Sequence, residues 1–233
     1  MTINAKKEFL EKAILGRKVD FNDPDEVIDA CVSNSCGDMM VGAKYFLPEG
    51  DKERIKNVTI ELLNKHNFKY DRSLIIELAE EIFPNHSPSE LIEFEKIQKG
   101  KREGQVKINK ATGFGLAQKV INMSYKHFFT FNEYMKNKNI DYSKCECPLD
   151  KNVLEPKENP DIYNPINNPE HYKWTYITET QYDDIQKQIT QILANDPKVI
   201  SKLANYEDLN NVGNMKYDFV TVHTPNYVNL PKN

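Results

Sequence analysis

A chain of 233 residues can bury one generous core or two small ones. With 39% hydrophobic and 10% aromatic residues it has the anchors to fold, despite 28% charged residues that make it polar for a globular protein. Its net charge of −4 gives the molecule as a whole no electrostatic reason to sit on nucleic acid or an anionic membrane, so any such contact must come from a local patch.

The first segment, residues 3–16, reads as a helix with Phe9, Leu10, Ala13 and Ile14 on one face. It alternates Lys and Glu with apolar residues and lacks the uninterrupted apolar stretch of a signal peptide. Nowhere is there a run of about 18 apolar residues that could cross a bilayer. Asp23-Pro24 is a good helix start, because proline suits the first helical position. Val27, Ile28, Cys31 and Val32 follow at helical spacing. Residues 36–47 are apolar but interrupted by Gly37 and Gly42. After the break at residues 48–50, helices are expected over 51–66 and, capped by Asp71, over 72–83, with Pro84 as the stop. Ser87-Pro-Ser-Glu90 reads as one more helix start.

Residues 99–110 read as a glycine-bearing basic loop. From about Leu116 to Met135 the pattern is strongly helical, and Phe128 and Phe131 extend its apolar side, so both are expected to be buried. A loop carries Cys145 to Asp150. Residues 155–172, rich in Pro and Asn, read as an irregular linker. Thr178 or Thr180 caps a last clear helix over 180–194, Pro197 starts a short one, and the polar tail holds a candidate strand at 217–223. The expected fold is therefore mainly α, a multi-helix orthogonal bundle with any strand confined to the tail. Residues 1–154 form a helical domain, and 173–233 form a C-terminal helical segment and tail packed on it.

Charge is concentrated in one place. Between Lys96 and Lys126 eight Lys or Arg stand against one Glu, a net +7 that leaves about −11 for the rest of the chain. A basic segment that feeds a glycine turn and then a helix can bind phosphate, since N–H groups at a helix N-terminus are unpaired and the helix dipole favours anions. A charge run of this kind also serves as a plain solvated surface. The residues that would make the contact are Lys101, Arg102, Lys107, Lys110, Gly113, Gly115 and Lys119.

Thr112-Gly-Phe-Gly-Leu-Ala-Gln-Lys-Val-Ile-Asn-Met123, with Cys147-Pro-Leu-Asp150 downstream, resembles the helix-hairpin-helix DNA glycosylases over about residues 96–150. The resemblance implies a helix-hairpin-helix-like fold there, a Gly-apolar-Gly turn that approaches a DNA phosphate, and Asp150 as the catalytic aspartate. Three features depart from that pattern. The hairpin lysine of the bifunctional members has no counterpart at Gly115 or Ala117, and Lys119 lies beyond both. The interval to Asp150 is long. The four-cysteine cluster of some members is missing. What the resemblance implies is thus base excision without lyase activity. Asp150 also suits a plain helix N-cap.

The remaining candidates are ordinary. His127 sits on a helix beside Phe128, and Glu77, Glu80 and Glu81 share a helix. His86, His171 and His223 have no partner spaced for a metal triad, and the Cys31/Cys36 and Cys145/Cys147 pairs have the wrong spacing for a zinc site. Neither a metal nor a cofactor is expected, and reduced cytoplasmic thiols are. Tyr172, Trp174 and Tyr176 could stack on an extruded base or simply pack. Two functional readings follow: nucleic-acid binding through the basic loop and glycine hairpin, with DNA as partner and glycosylase-like base excision, or a non-catalytic helical accessory protein, of a defence type, whose partner is another protein.

Overall fold

The computed structural model describes residues 15–43, 46–48, 50–97, 104, 106–135, 138–154, 166 and 173–221. The expected helix over 3–16 and most of the linker over 155–172 lie outside these residues. Among the described residues the fold is mainly helical, as the spacing predicts, and no helix is long and apolar enough to cross a membrane.

Three helices come first: α1 (Pro24–Ala43), α2 (Asp51–Lys65) and α3 (Arg72–Ile82). α1 runs unbroken through Gly37 and Gly42, joining what the sequence divides into two segments. Asp71 caps α3, its carboxylate accepting from the Ser73 N–H at 2.8 Å. The Ser87–Glu90 segment departs from expectation. It closes as a turn, with the Glu90 N–H donating to the Ser87 carbonyl at 3.0 Å, and a strand follows. β1 (Ile92–Ile97) pairs antiparallel with β2 (Val106–Ala111), from Ile92 opposite Ala111 to Ile97 opposite Val106. The expected basic loop is therefore, in part, the second strand of a ribbon. Its physical cause is the two-residue alternation of Ile92-Glu-Phe-Glu, which puts Ile92 and Phe94 on one face. Phe94 docks that face on Phe46 and Phe83, with ring centroids 5.0 and 6.0 Å away. An isolated two-stranded ribbon is marginal in water, and this docking secures its base.

β2 leads directly into α4 (Gly113–Thr130), the centre of the molecule. Thr112 caps α4 by accepting from the Gly115 N–H at 2.9 Å. Every residue from Gly113 to Phe128 is buried. α1 and α3 pack directly against it, and Phe128 and Phe131 are both fully buried, as their spacing predicts. The 17-residue α6 (Glu179–Asn195) and the short helices α5 (Lys151–Leu154), α7 (Pro197–Leu203) and α8 (Lys216–Thr221) follow. Thr178 caps α6 in a reciprocal box with Gln181. The strand expected at the tail is instead α8 over residues 216–221.

A helix buried on all sides is ordinarily apolar all round. α4 carries Gln118, Lys119, Asn122, Ser124, Lys126 and His127 inside the protein. Buried polar groups need partners, and most of these have them. The Ser124 hydroxyl donates to the Val120 carbonyl at 2.7 Å. Lys126 is ion-paired to Asp218 on α8, and the His127 ring meets the Ser35 hydroxyl at 3.0 Å. The Tyr182 hydroxyl lies 2.6 Å from the Asn122 amide, and Tyr70 donates to the Asn122 side-chain oxygen at 2.7 Å. Around this pair Arg72 holds Glu146 through two nitrogens, at 3.1 and 2.5 Å, and Asp183 at 2.7 Å.

Candidate functional site

The segment Cys147-Pro-Leu-Asp150 is held from both sides by glutamine amides. Gln118 on α4 accepts from the Leu149 N–H at 3.1 Å and donates to its carbonyl at 2.7 Å. Gln186 on α6 does the same for Cys147, at 3.2 and 2.8 Å. Each amide thus satisfies a buried peptide group as a neighbouring strand would, and the pair fixes where Asp150 emerges. The Asp150 carboxylate accepts from the N–H groups of Asn152 at 2.7 Å and Val153 at 3.1 Å, so it caps α5.

Lys119 follows Gln118 on α4 and is only 8% exposed. Its amine lies 4.4 Å from the centre of the Trp174 ring. Among the described residues it forms neither a hydrogen bond nor an ion pair. Burial holds the Lys119 amine below the ordinary lysine range, opposed by the carboxylates of Asp150, Asp38 and Asp218. Desolvation disfavours the charged form, and nearby carboxylates restore part of it. The arrangement is a buried amine with three acids in electrostatic range, the strongest being Asp150.

The two glycines expected to approach a phosphate approach the protein itself. A Cβ on Gly113 would lie 2.8 Å from the Ala79 carbonyl oxygen. One on Gly115 would lie 2.5 Å from the Trp174 carbonyl oxygen and 2.9 Å from that of Thr175. The amides of the turn are taken as well: Phe114 N–H donates to Pro88 at 2.7 Å, and Gly115 N–H goes to the Thr112 hydroxyl. The turn follows a strand rather than a helix, so it is a strand–helix junction. Lys107 and Lys110 stand exposed on β2, and Lys110 is paired with Glu93 at 2.6 Å. Lys96 and Lys107 are direct cross-strand partners in the register. Lys101 and Arg102 lie outside the described residues. The structure therefore brings Asp150 and Lys119 into one electrostatic neighbourhood and places Lys107 and Lys110 on opposite faces of the ribbon.

The other candidates are accounted for by packing. Trp174 is 8% exposed, with its ring against Gly42 of α1. Glu77 binds Lys65 at 2.7 Å and His66 at 2.9 Å, and His86 binds Glu90 at 2.8 Å. Glu80 and Glu81 are exposed on α3. All four cysteines are free and buried, and burial pushes the Cys36 thiol up to about 12 and raises the other three as well. Among the described residues no group of His, Cys, Asp or Glu is arranged to hold a metal ion. Tyr172, His171 and His223 lie outside the described residues.

Sequence reasoning missed the clamp of Gln118 and Gln186 and the seclusion of Lys119. The available signal was the polar pair Gln118 and Asn122, one turn apart on a helix with a strongly apolar side. No protein-family profile matches the chain, and neither does any curated protein or solved structure.

Proposed function

We propose that the protein acts on nucleic acid as a base-excising enzyme, with Lys119 and Asp150 as its chemical centre and the β1–β2 ribbon as its backbone contact. The observation that carries this reading is the secluded Lys119 amine, without an ion-pair partner among the described residues and within the electrostatic range of Asp150. Burial lowers the cost of releasing the Lys119 proton and so favours the nucleophilic free amine more than an exposed lysine would, whereas a contacting carboxylate would hold the ammonium. The substrate class follows from the Cys147-Pro-Leu-Asp150 part of the resemblance to DNA glycosylases, since the glycine turn here follows a strand and packs against the protein. The Lys119 lone pair forms a bond to the anomeric carbon of the sugar as the bond to the base breaks. The base leaves with that electron pair and takes up a proton from water, the amine's proton passes through water to Asp150, and opening of the sugar ring turns the resulting amino sugar into the imine that borohydride reduces. The carboxylate also stabilises the positive charge that develops on the sugar. This gives Lys119 a larger role than its sequence position implies and extends the lyase-free expectation.

The phosphate contact moves from the glycine turn to the ribbon. Lys107 stands exposed on β2 and offers a cation to a polyanion. A two-stranded ribbon is also narrow enough for a duplex major groove.

The test is borohydride trapping with duplexes that carry damaged bases or an abasic site. The expected result is a covalent protein–DNA adduct, lost in Lys119→Gln and reduced in Asp150→Asn. Binding of the same duplexes is expected to be salt-dependent, since each neutralised phosphate releases counterions, and weakened by Lys107→Glu with Lys110→Glu. Binding with neither base release nor adduct would remove the enzyme and keep the ribbon. Absence of binding at low salt would remove both. It would favour a second reading, an accessory protein with a protein partner, which the exposed Val106 and Ile108 on the ribbon's outer face support.

A further inference from the structure

We propose that Trp174 is a positioning residue for Lys119: its indole face, seated by glycines on two different helices, holds the amine in place without neutralising it. The inference rests on the reading of Lys119 as the reacting amine. Gly115 is the first seat. Because a side chain there would collide with the carbonyls of Trp174 and Thr175, only glycine lets that stretch of backbone lie against α4. Lys119 is one helical turn further on and shares the face of Gly115. A Trp174 backbone resting on Gly115 thus brings its ring over Lys119.

Gly42 of α1 is the second seat. A Cβ there would lie 2.8 Å from Trp174 Cη2 and closer still to Cζ2, so the far edge of the ring occupies the space of the missing side chain. The strap is fastened beside these seats. The Thr112 N–H donates to the Thr175 carbonyl at 2.9 Å, and the Thr112 hydroxyl donates to the Ile177 carbonyl at 2.8 Å. Thr112 also caps α4, so one residue sets both the start of the helix and the position of the strap.

The two buried lysines of α4 are treated differently. Lys126 has a carboxylate in contact, Asp218. Lys119 has an aromatic face in contact and its acids at longer range: Asp150 beyond the clamped segment, Asp38 on α1 and Asp218 on α8, with Lys126 as the opposing cation. A contacting carboxylate would fix the ammonium form. An aromatic face confines the amine by a weaker attraction and at the same time excludes water from it.

The experiment follows the side-chain nitrogen resonance of Lys119 in lysine-labelled protein, assigned by its loss in Lys119→Arg, across a pH titration. In the parent, Lys119 is expected to titrate below the exposed lysines. Trp174→Leu is expected to raise its midpoint toward the ordinary lysine range, because water reaches the amine, and to lower the yield of borohydride adduct at neutral pH at least tenfold. Trp174→Phe, which keeps an aromatic face, is expected to restore most of both. Gly42→Ala displaces the ring while leaving Trp174 in place and is expected to act as Trp174→Leu does. The proposal is overturned if Lys119 titrates identically in the parent, Trp174→Leu and Gly42→Ala, or if Trp174→Phe behaves as Trp174→Leu. If the parent forms no adduct with any duplex but the titrations shift as stated, base excision fails and the positioning by Trp174 stands.

Discussion

Replacing Lys126 with Met tests whether α8 is locked to the central helix by charge. The Lys126 and Asp218 side chains are 1% and 2% exposed, so water cannot take the place of either partner. Met has nearly the reach of the lysine stem, so Lys126→Met removes the charge and little of the packing, including the contact with the Phe219 ring. Breaking a buried pair by deleting one member strands the other charge in a poor solvent and costs about 3–5 kcal/mol. If the urea dependence is about 3 kcal/mol per molar for a chain of this size, a loss of about 4 kcal/mol lowers the unfolding midpoint by about 1.3 M. Replacing both partners, Lys126→Met with Asp218→Leu, removes the stranded carboxylate and is expected to recover most of the loss, since apolar replacements of whole buried pairs are often neutral or stabilising. Urea unfolding followed by tryptophan fluorescence and circular dichroism reads both variants. A midpoint for Lys126→Met within about 0.2 M of the parent would refute the reasoning, as would a double variant no better than the single.

Three further outcomes follow from the core and its surface ion pairs. Phe128→Ala empties a fully buried site flanked by the rings of Phe68 and Tyr125 at 5.9 and 5.7 Å, and is expected to cost about 3–5 kcal/mol by thermal or urea unfolding. Among the described residues the buried Tyr125 hydroxyl has no hydrogen-bond partner. Tyr125→Phe is therefore expected to be neutral or to stabilise by about 1 kcal/mol, and a loss of that size instead would mean the hydroxyl is satisfied in solution. The hydrogen bond from Lys65, aided by His66, holds the Glu77 carboxyl below its ordinary range. A depressed carboxyl contributes stability above its unfolded pKa and loses it as pH falls through its folded value. Melting temperatures measured from about pH 5 down to pH 3 should fall less steeply in Glu77→Gln than in the parent.

The helices were legible because their apolar residues recur at helical spacing and their starts carry Asp71, Thr178 and Pro197. The ribbon was not, because the run of Lys and Gly between its strands reads as a solvated loop and hides the alternation of Ile92-Glu-Phe-Glu. The tail misled in the opposite direction. Tyr217-Asp-Phe-Val-Thr-Val222 has strong strand propensity, but a helix over 216–221 carries Asp218 to Lys126 and buries Tyr217 and Val220, and tertiary contacts of that kind override local preference. The glycines of Gly113-Phe-Gly115 were legible as places where backbone must come close. The approaching groups are the carbonyls of Ala79 and Trp174, which a sequence cannot name. Asp150 was legible both as a cap and as a candidate acid, and its carboxylate does cap α5. Lys119 was singled out as a surface cation, and its burial follows from contacts with Trp174 and α1 that lie far away in sequence.

Lys119→Met separates a structural lysine from a functional one. Among the buried polar side chains of α4, Gln118, Asn122, Ser124, Lys126 and His127 each have a hydrogen-bonding or ionic partner among the described residues. Among those residues Lys119 has the ring of Trp174 in place of such a partner. Packing alone would favour a long apolar side chain here, so a lysine retained for chemistry is a stability cost that a functional site tolerates. The pH dependence carries the sign. Because burial lowers the folded-state pKa of Lys119, the cost is full below that value, where the amine must be charged in the folded state. It fades as pH rises through the folded value toward the unfolded one, where the amine is neutral in both states. Lys119→Met is therefore expected to stabilise the protein at neutral pH by about 1 kcal/mol, with the gain shrinking toward about pH 10, while no adduct forms with DNA. Urea unfolding at a series of pH values measures it. A variant destabilised by several kcal/mol at every pH would mean that Lys119 is held for its contact with Trp174, and the chemistry assigned to it would fall.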